Sequence, residues 1–135
     1  MSAPDSLRVG IDLVQVSRIA ESVERFGERF LSRVFTEAEI AYATAAPAQS
    51  AARLAARFAA KEATIKALRL VDQAVNLRDI EVCRAPSGAC DLTLRGRARE
   101  AAARAGVGEM ALSLCHEGDY ATAVVVASVR TSRSP

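Results

Sequence analysis

The segment from about Ala51 to Leu70 is dominated by Ala, Arg, Lys, Glu and Leu, all good helix formers, and it is the longest such run in the chain. At about 100° per residue, Leu54, Phe58, Ile65 and Leu68 share an arc of about 80° and form one apolar stripe. A chain of 135 residues has room for one real core, so the other elements must be organised around that stripe. Lys61 falls in the middle of it, with Glu62 on its shoulder and Lys66 beyond. The plain reading is that Lys61 snorkels to the surface along its aliphatic stem and that Glu62 and Lys66 form an ordinary i,i+4 pair.

Around this helix the period changes along the chain. Leu7–Val14 alternates Leu7, Val9, Ile11 and Leu13 against Arg8, Gly10, Asp12 and Val14, a strand pattern. Ser17 is placed to cap a helix through Ile19, Val23 and Phe26 that Gly27 stops. Glu28–Phe35 reads as a second short helix, and Thr36 with Glu39 as a capping box for a third. Ala43–Ser50, containing Pro47, reads as a loop. Beyond Asn76 the strand pattern returns. Leu77, Ile80 and Val82 face Leu92 and Leu94 across a Pro86-Ser87-Gly88 turn. Arg97–Ala105 is a helix closed by Gly106, and Met110–His116 and Tyr120–Arg130 form a hairpin about Glu117-Gly118-Asp119. Helices mainly first and antiparallel strands mainly later predict an α+β fold, a small antiparallel sheet packed against a long helix plus shorter helices. Residues 1–135 read as one domain, with Thr131–Pro135 as a flexible polar tail.

Composition narrows the function classes. Half of the residues are apolar but only 4% are aromatic, and Trp is absent, so alanine carries much of the core. A mean hydropathy of +0.10 excludes a solvated, disordered chain. No apolar run approaches the roughly 20 residues of a membrane helix, and Met1–Leu7 lacks the pattern of a secretory signal. A net charge of +2 without an aromatic stacking strip argues against nucleic acid as a partner. Cys83, Cys90 and Cys115 lack metal-ligand spacing, and with a single histidine a cysteine–histidine zinc site is not expected. A cytoplasmic protein is the expectation.

Several side chains stand out as chemistry. Asp12 lies mid-strand on the face opposite Leu7, Val9, Ile11 and Leu13, where Asp is a poor strand former. It is either solvated or a hard-metal ligand awaiting a second carboxylate, for which Glu62 is a candidate. His116 stands at a strand end, either as a hydrogen-bonded surface residue or as a donor to a phosphate. Arg18, Arg25, Arg29 and Arg33 recur along the first helices, either as a solvated face or as a docking face for an acidic partner.

Read together, Gly10-Ile11-Asp12-Leu13-Val14, Arg18-Ile19, Phe35-Thr36-x-x-Glu39, Arg57-Phe58-Ala59-Ala60-Lys61-Glu62-Ala63-x-x-Lys66-Ala67-Leu68 and Leu112-Ser113-x-x-His116 occur in order. This series resembles the small holo-[acyl-carrier-protein] synthases, the short type of 4′-phosphopantetheinyl transferase, from about Val9 to Val126. The resemblance implies a 4′-phosphopantetheinyl transferase-like fold. It implies an enzyme that moves phosphopantetheine from coenzyme A onto a serine of an apo acyl carrier protein and releases adenosine 3′,5′-bisphosphate. By position, Asp12 and Glu62 would hold Mg²⁺ and, with Lys66, form the catalytic set. Lys66 and His116, with Lys61, would contact coenzyme A phosphates, and Arg18 and Arg25 would meet the carrier protein. The resemblance also implies a homotrimer with sites between neighbouring subunits, in fatty acid or polyketide biosynthesis.

The chain departs from the family pattern twice. Arg69-Leu70-Val71-Asp72 stands where a Gly-Thr-Gly loop is usual, and Ser87-Gly88-Ala89-Cys90 where Gly-Lys-Pro is usual. Glycines let backbone approach a nucleotide closely, so the coenzyme A grip is expected to be rebuilt or weakened here. The alternative reading is a repurposed member that binds a carrier protein, or a carrier-bound chain, without transfer.

Overall fold

The computed structural model describes Ser6–Arg130; the tail expected at Thr131–Pro135 lies outside the described residues. The fold is α+β. Strand β1 (Ser6–Gln15) leads into helices α1 (Val16–Phe26), α2 (Glu28–Val34) and α3 (Glu37–Thr44). A 3-10 turn at Pro47–Gln49 then enters the long helix α4 (Ser50–Leu68). Strands β2 (Ile80–Arg84) and β3 (Cys90–Leu94), helix α5 (Gly96–Ala105) and strands β4 (Val107–Glu117) and β5 (Tyr120–Val129) complete it. β1, β5 and β4 form one antiparallel sheet in that order, and β2 pairs with β3 in a separate hairpin. No helix of the described residues is long and apolar enough to cross a membrane.

The core is the contact between α4 and the three-stranded sheet. Ala55, Ala56, Ala59, Ala60, Ala63 and Ala67 of α4 are buried, as are Ala121, Ala123, Val125 and Ala127 of β5. Small side chains let the helix lie close on the sheet, and Gly10 marks the tightest approach. A Cβ built there would overlap the Ala63 carbonyl oxygen and stand 2.7 Å from the Ala67 nitrogen. Gly10 and Val14 therefore face the helix. The apolar alternation of β1 points the other way, leaving Leu7, Val9, Ile11 and Leu13 between 59% and 74% exposed.

Most local expectations hold, but Leu77, read with the strand pattern, opens a 3-10 turn (Leu77–Asp79) before β2, β4 starts at Val107 ahead of the expected Met110, and three further places differ. Ser17 does not cap α1. Gln15 takes that position without a side-chain bond, and the cap comes from the β4–β5 turn: Asp119 Oδ1 accepts from Ser17 N at 2.9 Å and Asp119 Oδ2 from Ser17 Oγ at 2.7 Å. A carboxylate delivered by tertiary structure is the better acceptor at a helix N-terminus. The expected loop at Ala43–Ser50 is mostly wound, since α3 runs to Thr44 and Pro47 opens a turn. The long helix ends at Leu68, where Arg69 takes a left-handed φ of 57° and Leu70 N donates back to Ile65 O at 2.9 Å. The Thr36–Glu39 capping box forms as expected.

Lys61 does not snorkel. Its side chain is fully buried, and its Nζ lies 2.8 Å from Glu39 Oε1 and donates to Leu77 O at 2.9 Å and Ile80 O at 2.6 Å. Glu39 is saturated in turn, with Oε1 accepting from Thr36 N and Oε2 from Val82 N, both at 2.9 Å. Burial pushes the ammonium below its ordinary value, and the adjacent carboxylate works against that shift.

Two predictions follow from this packing. Gly10→Ala forces β1 off α4, because the obstacle is helix backbone rather than a flexible side chain; a loss of about 3 kcal/mol or more is expected in denaturant titration, and a loss below about 1 kcal/mol contradicts the close-approach account. Glu81 tests the second layer. Burial would raise its carboxyl, but hydrogen bonds from Thr36 and Arg95 and the Arg95 charge outweigh burial and hold it below the usual range. A depressed folded value gives stability that is present above the unfolded value of about 4.3 and is lost as pH falls through the folded one. Glu81→Gln should lower the melting temperature by about 3 °C at pH 7, and the gap to wild type should close below pH about 4. A gap that does not vary with pH contradicts the assignment.

Candidate active site

The close contact of β1 with α4 brings together two carboxylates that are far apart in sequence. Asp12 and Glu62 both line a cleft of about 480 Å³, with Gln15, Arg18, Phe58 and Tyr120. Asp12 is on the helix-facing side of β1, two residues beyond Gly10, which excludes the solvated-face reading. Burial, and then the Asp12 charge, push the Glu62 carboxyl above the usual carboxylate value, while Lys66 pulls it down. Two cations stand by the pair: Arg18 lines the same cleft, and Lys66 Nζ lies 3.1 Å from Asp12 Oδ1 and donates to Ile11 O at 2.9 Å. The expected Lys66 partner was Glu62; the lysine instead bridges to the strand.

Among the described residues no cluster of three or more His, Cys, Asp or Glu side chains could cage a metal. Two carboxylates opening on a cleft nonetheless suit Mg²⁺, which keeps waters and takes one or two carboxylates plus oxygens of a phosphate ligand. Asp12 and Glu62, partly desolvated in one cleft, are a donor set of that kind.

His116 is not in this cleft. It lines a second cavity of about 330 Å³ with Tyr42, Arg53, Arg57 and Arg84, and the two cavities share no lining residue. The cavity is strongly basic. Arg53 and Arg57 place their guanidinium carbons 4.1 and 4.2 Å from the Tyr42 ring centroid, and Arg84 places its own at 5.3 Å. Among the described residues none of the three forms a salt bridge. Arg57 is only 3% exposed, and its Nε is a buried donor without a partner. Burial, the largest influence, lowers the Arg57 guanidinium from its ordinary value, and arginine stays charged regardless. The arrangement is an anion pocket.

The expected set is thus divided and corrected. Asp12 and Glu62 meet, with Lys66 paired to Asp12 and Arg18 at the cleft edge. His116 stands apart. Lys61, expected to contact coenzyme A phosphates, is enclosed with its three donor directions taken up, so it is a structural residue. Arg25 is exposed on α1, with its guanidinium 5.6 Å from the Phe26 ring. Tyr42, Arg53, Arg57 and Arg84 were not foreseen. The i,i+4 spacing of Arg53 and Arg57 along one edge of the apolar stripe was the available signal.

Comparison with known proteins bears on this arrangement. The family model of the 4′-phosphopantetheinyl transferase superfamily matches residues 8–125. The holo-[acyl-carrier-protein] synthase of Gloeobacter violaceus is 45% identical over 118 residues, covering 87% of this chain and 89% of that protein. The apo-ACPS structure from Chronobacterium ammoniagenes superposes with a TM-score of 0.83 at 34% identity, covering 95% of this chain and all of that one. The ACPS–CoA complex from the same organism gives 0.79 at 34% identity, covering 95% and 99%. By these matches the chain belongs to the 4′-phosphopantetheinyl transferase superfamily and, within it, to the holo-[acyl-carrier-protein] synthases.

Proposed function

We propose that this protein transfers 4′-phosphopantetheine from coenzyme A to a serine of an apo acyl carrier protein, with Mg²⁺, and releases adenosine 3′,5′-bisphosphate. The observation that carries this reading is the cleft where Asp12 and Glu62 converge beside Lys66. Asp12 and Glu62 would hold the metal, which when bound supplies charge neutralisation for the pyrophosphate and polarises the phosphoryl group. The carrier serine oxygen bonds to the pantetheine-side phosphorus as the bond to the adenosine-side oxygen breaks. The attacking group thus belongs to the partner, and this chain's task is positioning and charge stabilisation. Lys66 offers an ammonium against Asp12. The pocket of Arg53, Arg57, Arg84 and His116 takes a phosphate of the coenzyme away from the reacting bond.

Arg18 and Arg25 stand seven residues apart on α1, on one helix face, and Arg18 also lines the cleft. That placement suits an acidic helix of the carrier, with its serine directed at Asp12 and Glu62. The separation of the two cavities on one chain supports completion of each site by a neighbouring copy in a homotrimer. The exposed row Leu7, Val9, Ile11 and Leu13, paired with Val124 and Val126 of β5, offers the apolar surface for that assembly. We place this single-domain enzyme in the cytoplasm, in keeping with its free cysteines. The carboxylate cleft and the basic pocket are both present on this chain, so a binder without transfer is not favoured.

Asp12→Ala and Glu62→Ala should each reduce transfer at least about 100-fold in the presence of Mg²⁺, with the fold intact by circular dichroism. The double variant should be little worse than either single one, since residues acting as a unit are strongly non-additive. Near-normal transfer in either single variant refutes the shared-metal site. For assembly, light scattering of the wild type should return three times the 14.3 kDa chain mass, and Val9→Glu should shift it toward one. A monomeric wild type at tens of micromolar would contradict the trimer.

A further inference from the structure

The basic pocket poses a physical problem that its ligand does not solve alone. Arg53, Arg57 and Arg84 gather around one side chain, and among the described residues none of them is in a salt bridge, so they repel one another before any ligand arrives. Tyr42 is the group they share. Its ring face receives the guanidinium carbons of Arg53 and Arg57 at 4.1 and 4.2 Å. Its hydroxyl accepts a hydrogen bond from Arg84 Nη1, and its carbonyl accepts one from Arg53 Nη1 at 2.7 Å. Arg57 Nη1 reaches the Arg53 carbonyl at 3.4 Å, while its Nε is left over. A neutral aromatic face is the scaffold that can attract several cations without itself neutralising them. An acidic residue in the same place would pair with the arginines and close the pocket to an anion.

We infer that Tyr42 is a positioning residue of this enzyme: it preorganises Arg53, Arg57 and Arg84, beside His116, into a fork that reads the ribose phosphomonoester of coenzyme A. The inference rests on the function proposed above. The pyrophosphate is assigned there to the carboxylate cleft, which leaves the monoester as the phosphate for a separate basic pocket. Arg57 Nε is a buried donor without a partner, held there as its guanidinium stacks on the Tyr42 ring. Because Tyr42 touches no reacting atom in this arrangement, its influence belongs to binding, not to the chemical step.

The test compares coenzyme A with 3′-dephospho-coenzyme A as substrates for the wild type, Tyr42→Leu and Tyr42→Phe, with Mg²⁺ and an apo carrier protein. Tyr42→Leu should raise KM for coenzyme A about tenfold or more while kcat and KM for the dephospho compound change less than about twofold. Tyr42→Phe keeps the ring and loses only the Arg84 anchor, so its KM for coenzyme A should rise about threefold. An unchanged preference for coenzyme A in Tyr42→Leu, or an equal KM rise for both substrates, overturns the inference. Should Tyr42→Leu fail to fold, an unchanged preference in Tyr42→Phe does so. A wild type that transfers from both compounds without preference overturns the phosphate pocket itself. A wild type that transfers from neither overturns the proposed function together with this inference.

Discussion

The ion pair of Lys61 and Glu39 is the constraint from which the functional layout derives. Both side chains are fully buried, and an isolated charge there would be prohibitive. The pair survives because Nζ has acceptors in Glu39, Leu77 and Ile80, and Glu39 has donors in Lys61, Thr36 and Val82. Each partner comes from a different piece of chain, so satisfying the pair fixes α4 against the α3 N-terminus and the entry to β2. Removing one partner of such a pair costs about 3–5 kcal/mol, while an apolar replacement of the whole would be far milder. The network therefore specifies one arrangement of the elements more than it adds stability.

That arrangement decides where the helix sends its other side chains. With Lys61 turned inward, residues on neighbouring i,i+4 ridges diverge. Phe58, Glu62 and Lys66 follow one ridge, toward β1 and the carboxylate cleft, while Arg53 and Arg57 precede Lys61 on its own ridge and reach the basic cavity. One helix thus serves two cavities of opposite character. Separation is electrostatically sensible: the three clustered arginines, placed beside Asp12 and Glu62, would compete with a metal cation for the carboxylates.

How much of this was legible in the sequence depends on the range of the interaction. The period-two strands, the capping box at Thr36 and the long helix are local, and each formed within a few residues of where its pattern placed it. The convergence of Asp12 and Glu62 came from the family motif, since no period relates a strand residue to a helix residue so distant in sequence. What patterning got wrong was direction. The alternation in β1 is correct, but its apolar face is the outer one, because Gly10 and the alanines of α4 give the helix a closer seat on the other side. Likewise Lys61 reads as a snorkelling lysine unless one knows that Glu39 lies opposite it. The role of Tyr42 was invisible for the same reason: its ring is an ordinary helix residue until three arginines from two other elements close on it.

The altered turn after α4 illustrates how a family pattern can change without loss of the geometry it encodes. Arg69 occupies a left-handed conformation, with φ at 57°, that a glycine would adopt without steric cost and that costs an ordinary residue about 1–2 kcal/mol. The helix ends there through the bonds from Arg69 N to Lys66 O and from Leu70 N to Ile65 O. The compensation lies one residue on. Leu70 is 3% exposed and joins Leu68, Ala101, Ala102 and Ala127 in a second apolar cluster, and burying such a side chain is worth about 1.5–3 kcal/mol. That gain matches or exceeds the strain at Arg69, so the turn is held by hydrophobic anchoring where a glycine would hold it by conformational freedom. A turn anchored in this way keeps Lys66, three residues before Arg69, on the ridge that meets Asp12. The departure from the usual glycines thus leaves Lys66 in place against Asp12, at the edge where β1 meets α4.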